Sequence, residues 1–286
     1  MYGFQAHLSD EFPSQVIVDV TEHCNLACIH CPHPEYIKSE VWAGRHLSLE
    51  LHNKAIDEIA TAGNGICQYV RYTANGEPLI NPDFIEMVKY AGKHLKHCSI
   101  NVTTNAKSLN ERRALALLDA GVDVFDISLD AFKPETYAKI RVRGDLEKVK
   151  KNVLRLMELI KKGNYQSRLV VSFVCQSLNE GEADDFEKYW KHQGAHYVVI
   201  RRLHSAGGVK TELVNPQGDR YPCLYPWERI TLSPDGSLHF CPQDWEHGSE
   251  ICSFKNTTIK EVWQGDFMKK AGNYESKTER SADALC

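Results

Sequence analysis

The 286-residue chain has room for one large domain, or one domain with a small appendage. Its apolar fraction of 42%, charged fraction of 25% and net charge of −4 are ordinary for a globular protein and exclude the basic field that nucleic-acid binding needs. No apolar run approaches the roughly 18 residues of a membrane span. The first ten residues also lack the basic start and apolar core of a secretory signal, so a cytoplasmic protein without a membrane or nucleic-acid partner is expected.

In chain order, Gln15 to Val20 reads as a strand rich in β-branched residues. A loop punctuated by Pro32 and Pro34 follows, to about His46. Leu49, Leu51, Ala55, Ile56, Ile59 and Ala60 have helical period behind Ser48 as N-cap, and Gly63 and Gly65 end that helix. Strands are expected at Gln68–Thr73, Ser99–Thr103, Val122–Leu129, Leu169–Cys175 and Tyr197–Arg201. Between them lie helical patterns around Phe84–Leu95, Ala114–Leu118, Pro134–Ile140, Leu146–Lys162 and Ala183–His192. This alternation implies a parallel sheet with helical crossovers. Periodicity alone does not separate a partial (β/α) barrel from an open doubly wound sheet.

After Arg202 the pattern changes. Glu228–Ser233 and Ser237–Phe240 flank Pro234-Asp235-Gly236, a hairpin signal. Ile259–Ala271 reads as one helix, and the polar tail Asn273–Ala284 as irregular.

Ten cysteines in a long chain without an export signal point to metal or redox use rather than disulfides. Cys67, Cys98 and Cys175 lie in or beside apolar runs and read as small buried hydrophobes, while Cys252 stands apart as a lesser metal-ligand or hydrogen-donor candidate. Cys24, Cys28 and Cys31 have C-x3-C-x2-C spacing just after the first strand. A [4Fe–4S] cubane needs four ligands, so three thiolates leave one iron open to bind something else. The alternative is a Cys3His zinc site completed by His23, His30 or His33. A simple iron–sulfur electron carrier is a third reading.

The cysteine motif resembles that of the radical SAM superfamily, whose open iron holds S-adenosylmethionine (SAM). Asn75-Gly76-Glu77-Pro78, after the second strand, resembles the family's GGEP segment, with Asn75 in place of the first glycine. The resemblance implies that this segment receives the methionine ammonium. It likewise places Thr104, Asn105, Ser128 and Asp130 against the SAM ribose and methionine, with Ser128 and Asp130 on one strand face. Arg141, favoured over Arg143, falls near the methionine carboxylate, and Asn179 and Glu182 near the adenosine. Helix capping is the competing role for Asp130.

Cys223 and Cys241, with 17 residues between them and Gly236 giving G-x4-C, resemble the start of a SPASM or shorter twitch extension that wraps an auxiliary [4Fe–4S] cluster. Cys286 stands where the closing C-x2-C would begin. Either the chain is trimmed there or the second cluster has an open iron.

The resemblance implies a partial (β/α)6 TIM-type barrel over residues 1–205 and a small α+β twitch/SPASM-like domain over 206–286. It implies reductive SAM cleavage, a flavodoxin- or ferredoxin-type electron donor, and hydrogen abstraction from a substrate. With only about 15 residues before the first strand, no leader-binding domain is expected. A sugar, aminocyclitol or nucleotide-sugar is then the expected substrate, for dehydrogenation or epimerisation; a peptide-modifying maturase is the alternative. Arg201, Arg202 and His204 close the sixth strand and are the candidate substrate-binding catalytic residues; ordinary surface salt bridging is the competing reading.

Overall fold

The computed structural model describes residues 8–213 and 223–270; Cys286 and the expected irregular tail lie outside the described residues. β1 (Gln15–Val18) leads into a long loop that contains the short α1 (His33–Tyr36), then α2 (Leu49–Thr61). β2 (Tyr69–Tyr72), α3 (Phe84–His94), β3 (Ser99–Thr104), α4 (Glu111–Asp119) and β4 (Val124–Ser128) continue the alternation. α5 (Pro134–Ile140), α6 (Leu146–Lys162), β5 (Arg168–Cys175), α7 (Ala183–Gln193) and β6 (Tyr197–Arg202) complete it.

Local chemistry sets the helix starts. The side chains of Ser48, Asn110 and Asp145 accept hydrogen bonds from the first turns of α2, α4 and α6. β1 to β6 pair in parallel, each with the next, as an open partial barrel. One face of the sheet is apolar: Val16, Val18, Val70, Tyr72, Val102, Phe125, Ile127, Val171 and Phe173 are buried in one core with Ile56, Met87, Leu117, Val153 and Phe186 of the helices. Each large side chain removed from water stabilises the fold by about 1.5–3 kcal/mol.

The segment after residue 205 carries α8 (Tyr225–Glu228), β7 (Arg229–Leu232), β8 (Ser237–His239), β9 (Glu250–Ser253) and α9 (Ile259–Trp263). Its strands do not form a separate sheet. β7 pairs parallel with β1, residue for residue from Gln15↔Arg229 to Val18↔Leu232, and β8 and β9 extend the same nine-stranded sheet antiparallel. The single helix expected over Ile259–Ala271 is broken. α9 stops at Trp263, the chain turns through Gln264 and Gly265, and residues 266–270 are helical again. Gly265 costs about 1 kcal/mol more than alanine inside a helix, which makes it the natural break.

Helix α2 holds this C-terminal segment. Glu58 accepts the first two N–H groups of α9, Ile259 and Lys260, both at 2.8 Å. Lys54 donates to the carbonyls of Phe254 and Thr257. Glu58→Ala removes the carboxylate from that helix start and is expected to cost about 1–2 kcal/mol, seen as a lower urea midpoint with earlier proteolysis near α9.

Candidate active site

Strand register decides which side chains face away from the helices. Gln15 pairs with Arg229, and Ile17 with both Thr231 and Arg71, so these five share a face. Thr103 pairs with Asp126, and Ser128 with Ser172. Arg201 pairs with Val174, which shares that face with Ser172 by strand alternation. The inner face is therefore polar, in contrast to the apolar helix-facing side. Arg202 falls on the opposite face of β6 from Arg201.

The loop Cys24–Cys31 leaves the C-terminal end of β1. It is stitched down by Ala27 N–H to the Val142 carbonyl and Ile29 N–H to the Ile140 carbonyl, both at 3.0 Å. Asn25 donates to Ser108 and accepts from Asn105, and Lys107 reaches the Asn25 carbonyl. These bonds leave the three thiols grouped: Cys24 feels the charge of Cys28, and Cys31 that of both others. Burial pushes Cys24 and Cys31 up to about 12 and raises Cys28, with Arg141 the largest opposing influence on Cys28. His23 and His33 direct Nε2 to the carbonyls of Gly44 and Glu22, both at 2.9 Å. Burial lowers His30 to about 4, and its ring lies 3.5 Å from Asp130. Among the described residues, no three His, Cys, Asp or Glu side chains converge on a single-ion position, as a Cys3His zinc site requires. A cubane takes each thiolate at a separate corner, so its ligands need not converge on a point.

The Asn75–Pro78 turn is clamped against this loop. Glu77 N–H donates to the His23 carbonyl at 2.8 Å, and a Cβ on Gly76 would lie 1.9 Å from the Thr21 carbonyl oxygen. Only glycine allows that approach. Ala74, just before it, has φ +132°, a strained value for a side-chain-bearing residue. The buried Glu77 carboxylate accepts from Thr104 Oγ1, from Asn105 N–H at 2.8 Å and from Leu79 N–H at 3.3 Å, which leaves one lone-pair site. Asn75 Oδ1 is buried without a hydrogen-bond partner.

Asp130 does not share an extended strand face with Ser128 as expected. β4 ends at Ser128, and Asp130 takes φ +64°, a left-handed conformation that aspartate tolerates. Fully buried, it accepts two bonds from Arg141 and one from Val174 N–H at 2.7 Å. Burial opposes the Arg141 charge, and Asp130 sustains it. Asn179 donates to the Asp130 carbonyl at 2.7 Å, and Glu182 accepts the Phe132 and Lys133 N–H groups that open α5. His204 accepts from Ala206 N–H and is near enough to His30 to lower it.

Cys223 and Cys241 lie at the other end. Cys223 precedes β7 and Cys241 follows β8, which runs antiparallel to β7. Both therefore belong to the end of the sheet where β1 begins, opposite the Cys24–Cys31 loop. Their charges reach Arg229, the first residue of β7. Beyond Cys241, Asp244 accepts Gly248 and Ser249 N–H, and these bonds with His239 hold its carboxyl at about 2 despite burial.

The profile described as the radical SAM superfamily matches residues 18–174, more than half of the chain. The chain belongs to the radical SAM superfamily. A second profile, the SPASM iron–sulfur cluster-binding domain, matches residues 223–286. Curated relatives include a probable GTP 3',8-cyclase of Methanothermobacter marburgensis, 28% identical over 72% of this chain and 61% of its own. Another is the mycofactocin maturase MftC of Mycobacterium ulcerans, 27% identical over 78% of this chain and 58% of its own. The chain thus spans about three fifths of the length of these relatives. Among solved structures, Streptococcus suis SuiB bound to precursor peptide SuiA superposes with a TM-score of 0.73 at 12% identity, covering 96% of this chain and 69% of that one. BtrN in complex with AdoMet and 2-DOIA gives 0.62 at 15% identity, covering 92% and 86%.

For this radical SAM chain the family brings SAM and a [4Fe–4S] cluster, and the SPASM match brings auxiliary iron–sulfur binding. The residues present suit them: grouped thiols, a glycine cradle and an unpartnered buried Asn75 oxygen beside them. Two features escaped sequence reasoning. Arg71 and Asp126 meet inside the barrel at 2.7 Å, across 55 residues of sequence. Asp19, an acid within an apolar strand, was visible as an anomaly. It is buried, accepts Asn75 N–H at 3.1 Å, and is pushed by burial up to about 7.

Two stability predictions follow from this packing. Gly76→Ala forces backbone against backbone and is expected to destabilise the fold by about 1–3 kcal/mol in urea unfolding. Asp19 releases its proton near 3.8 when unfolded and near 7 when folded. Between those values the folded state holds the extra proton, so stability falls as pH rises, by at most ~1.4 kcal/mol per pH unit, and levels off above the folded value. Asp19→Asn removes that slope, so its advantage over wild type in urea unfolding should widen from pH 5 to pH 7.5.

Proposed function

We propose that Cys24, Cys28 and Cys31 hold the cluster whose open iron takes SAM, and that the polar barrel interior holds a substrate from which hydrogen is abstracted. The observation that carries this reading is the placement of two cysteine groups at opposite ends of one polar lumen. When bound and reduced by one electron, cluster and SAM supply methionine and a 5'-deoxyadenosyl radical able to take hydrogen from an unactivated C–H bond. The chain's own residues position and shield. The Gly76 cradle, with Glu77 and Pro78, fixes the turn beside the cysteine loop. Thr104 and Asn105 lock Glu77 in place. Asp130, held by Arg141 and Asn179, sets the rim with Ser128. Trp245 packs on Tyr36, with ring centroids 5.4 Å apart, and so brings the C-terminal segment over α1 beside the cysteine loop.

Residues 206–286 are read as the auxiliary-cluster unit, with Cys223, Cys241 and Cys286 as ligands. A cluster held there would supply a one-electron acceptor, which suits dehydrogenation. Epimerisation would instead return a hydrogen atom. The expected sugar class draws only on a fold likeness to BtrN; the cyclase and maturase relatives do not support it. The maturase relative favours peptide modification as a second reading, and the likeness to SuiB shows that the fold is compatible with it.

Anaerobic reconstitution, dithionite reduction and chromatography for 5'-deoxyadenosine test the core of the reading. Cys24→Ala, Cys28→Ala and Cys31→Ala should each abolish the product; a variant that still forms it would sink the assignment. Cys241→Ala should lower iron from roughly eight to roughly four per chain while SAM cleavage persists. For a found substrate, deuterium from solvent at a stereocentre marks epimerisation, and two-electron oxidation without it marks dehydrogenation.

A further inference from the structure

Inside the barrel, between the two cysteine groups, positive charge is in excess. Arg71 from β2 and Arg201 from β6 approach the same carboxylate oxygen, Asp126 Oδ2, at 2.7 and 3.0 Å. A carboxylate can take one guanidinium in a two-bonded fork; here one oxygen is shared between two. Ser172 donates to the other oxygen of Asp126. Arg201 keeps 44% of its side chain exposed and Arg71 27%, so both remain reachable from the lumen. On the neighbouring wall, Arg229 pairs with Glu228 and stacks 3.9 Å over the Tyr225 ring, and Arg71 is close enough to disfavour its charge. Arg229 has Glu228 and the nearby Cys223 and Cys241 to balance it, so the excess sits where Arg71 and Arg201 share the one carboxylate of Asp126.

That wall also carries unmet hydrogen-bonding groups. Arg229 Nε, Thr231 Oγ1 and Gln15 Oε1 are all buried without a partner. Register places all three on the inner face, Gln15 beside Arg229 and Thr231 beside Ile17. A buried polar atom without a partner keeps the cost of its lost hydration, and three on one patch call for a ligand that supplies both donors and acceptors.

We propose that the barrel lumen recognises an oxyanion, a carboxylate or phosphate, on the substrate, gripped by Arg71 and Arg201, while Arg229, Thr231 and Gln15 hydrogen-bond the polar body of the same molecule. That the anion belongs to a substrate rests on the function proposed above. Arg71 and Arg201 each have a hydroxyl acceptor as well, Thr103 and Ser172, but share their one anionic partner; a bound oxyanion gives each guanidinium an anionic acceptor of its own. A neutral polyol supplies hydroxyls but leaves the surplus charge unmatched.

The test is anaerobic isothermal titration calorimetry on the reconstituted holoenzyme with inorganic phosphate, acetate and glucose. Wild type should bind phosphate or acetate, and the preferred one names the group. Arg71→Gln and Arg201→Gln should each weaken binding about tenfold or more, the range for charge-assisted bonds. Arg201→Lys, which keeps charge but loses the fork, should fall between. Lys89→Gln, which removes an exposed α3 cation paired with Glu86, should bind as wild type does. Arg201 is the more exposed of the two, so its variants decide the matter if Arg71→Gln fails to fold. No heat with either anion, binding of glucose alone, or undiminished binding by Arg201→Gln overturns the inference. The same wild-type sample is assayed for SAM cleavage. Cleavage without anion binding removes only this inference; anion binding without 5'-deoxyadenosine removes the proposed function and leaves an anion site.

Discussion

β1 is hydrogen-bonded on both edges by parallel strands, β2 on one side and β7 on the other. That pairing fixes nearly everything of interest. Its C-terminal end releases the Cys24–Cys31 loop, and its N-terminal end lies beside the strand that follows Cys223. Because β8 turns back antiparallel, Cys241 returns to the same end as Cys223. Two groups of cysteines are thereby held apart by the length of a strand, with a polar interior between them. Neither hydrophobic burial nor the loops could set that separation as firmly as a ladder of backbone hydrogen bonds.

Around this axis the chain tolerates expensive local arrangements. A buried Asp130–Arg141 pair, a buried Asp19 carboxyl and a strained Ala74 all border the same rim. Buried charges of this kind are weak contributors to stability, since desolvation offsets much of the attraction. Their worth lies in placement. Each carboxylate fixes one loop relative to another: Asp19 holds the Asn75 turn, Glu77 the end of β3, and Asp130 joins Arg141 to the end of β5. The rim is a set of loops that reference each other rather than a set of side chains waiting in solvent.

Much of this was legible in the sequence, because local spacing encodes it. Three cysteines within eight residues, a Gly-Glu-Pro after the next strand and regular strand–helix alternation require only short-range reading. What escaped is what only pairing creates. Arg71 and Asp126 carry no local signal, and Arg201, expected among the substrate-binding residues from its place at a strand end, meets them only because three strands come together. The fusion of β7 to β1 is equally invisible, since a hairpin signal says that two strands pair with each other and nothing about the third strand they join. The broken terminal helix was readable at Gly265, where an apolar pattern continued across a residue that does not sustain helix.

The β1–β7 ladder also governs how the molecule is made. Ser14 donates to the Glu228 carbonyl across 214 positions, so this edge of β1 is among the last contacts a nascent chain can form. At about 5–20 residues per second, that gap corresponds to roughly 10–40 s of synthesis. Through that interval β1 presents a bare edge, and the partners of the cysteine loop at residues 105–108 and 140–142 emerge while it lasts. The first cysteine group is therefore complete in sequence, and within reach of an assembly factor, well before the strand that closes the far end exists. Long-range parallel pairing of this kind folds slowly, and the exposed edge makes the unfinished chain a client for chaperones.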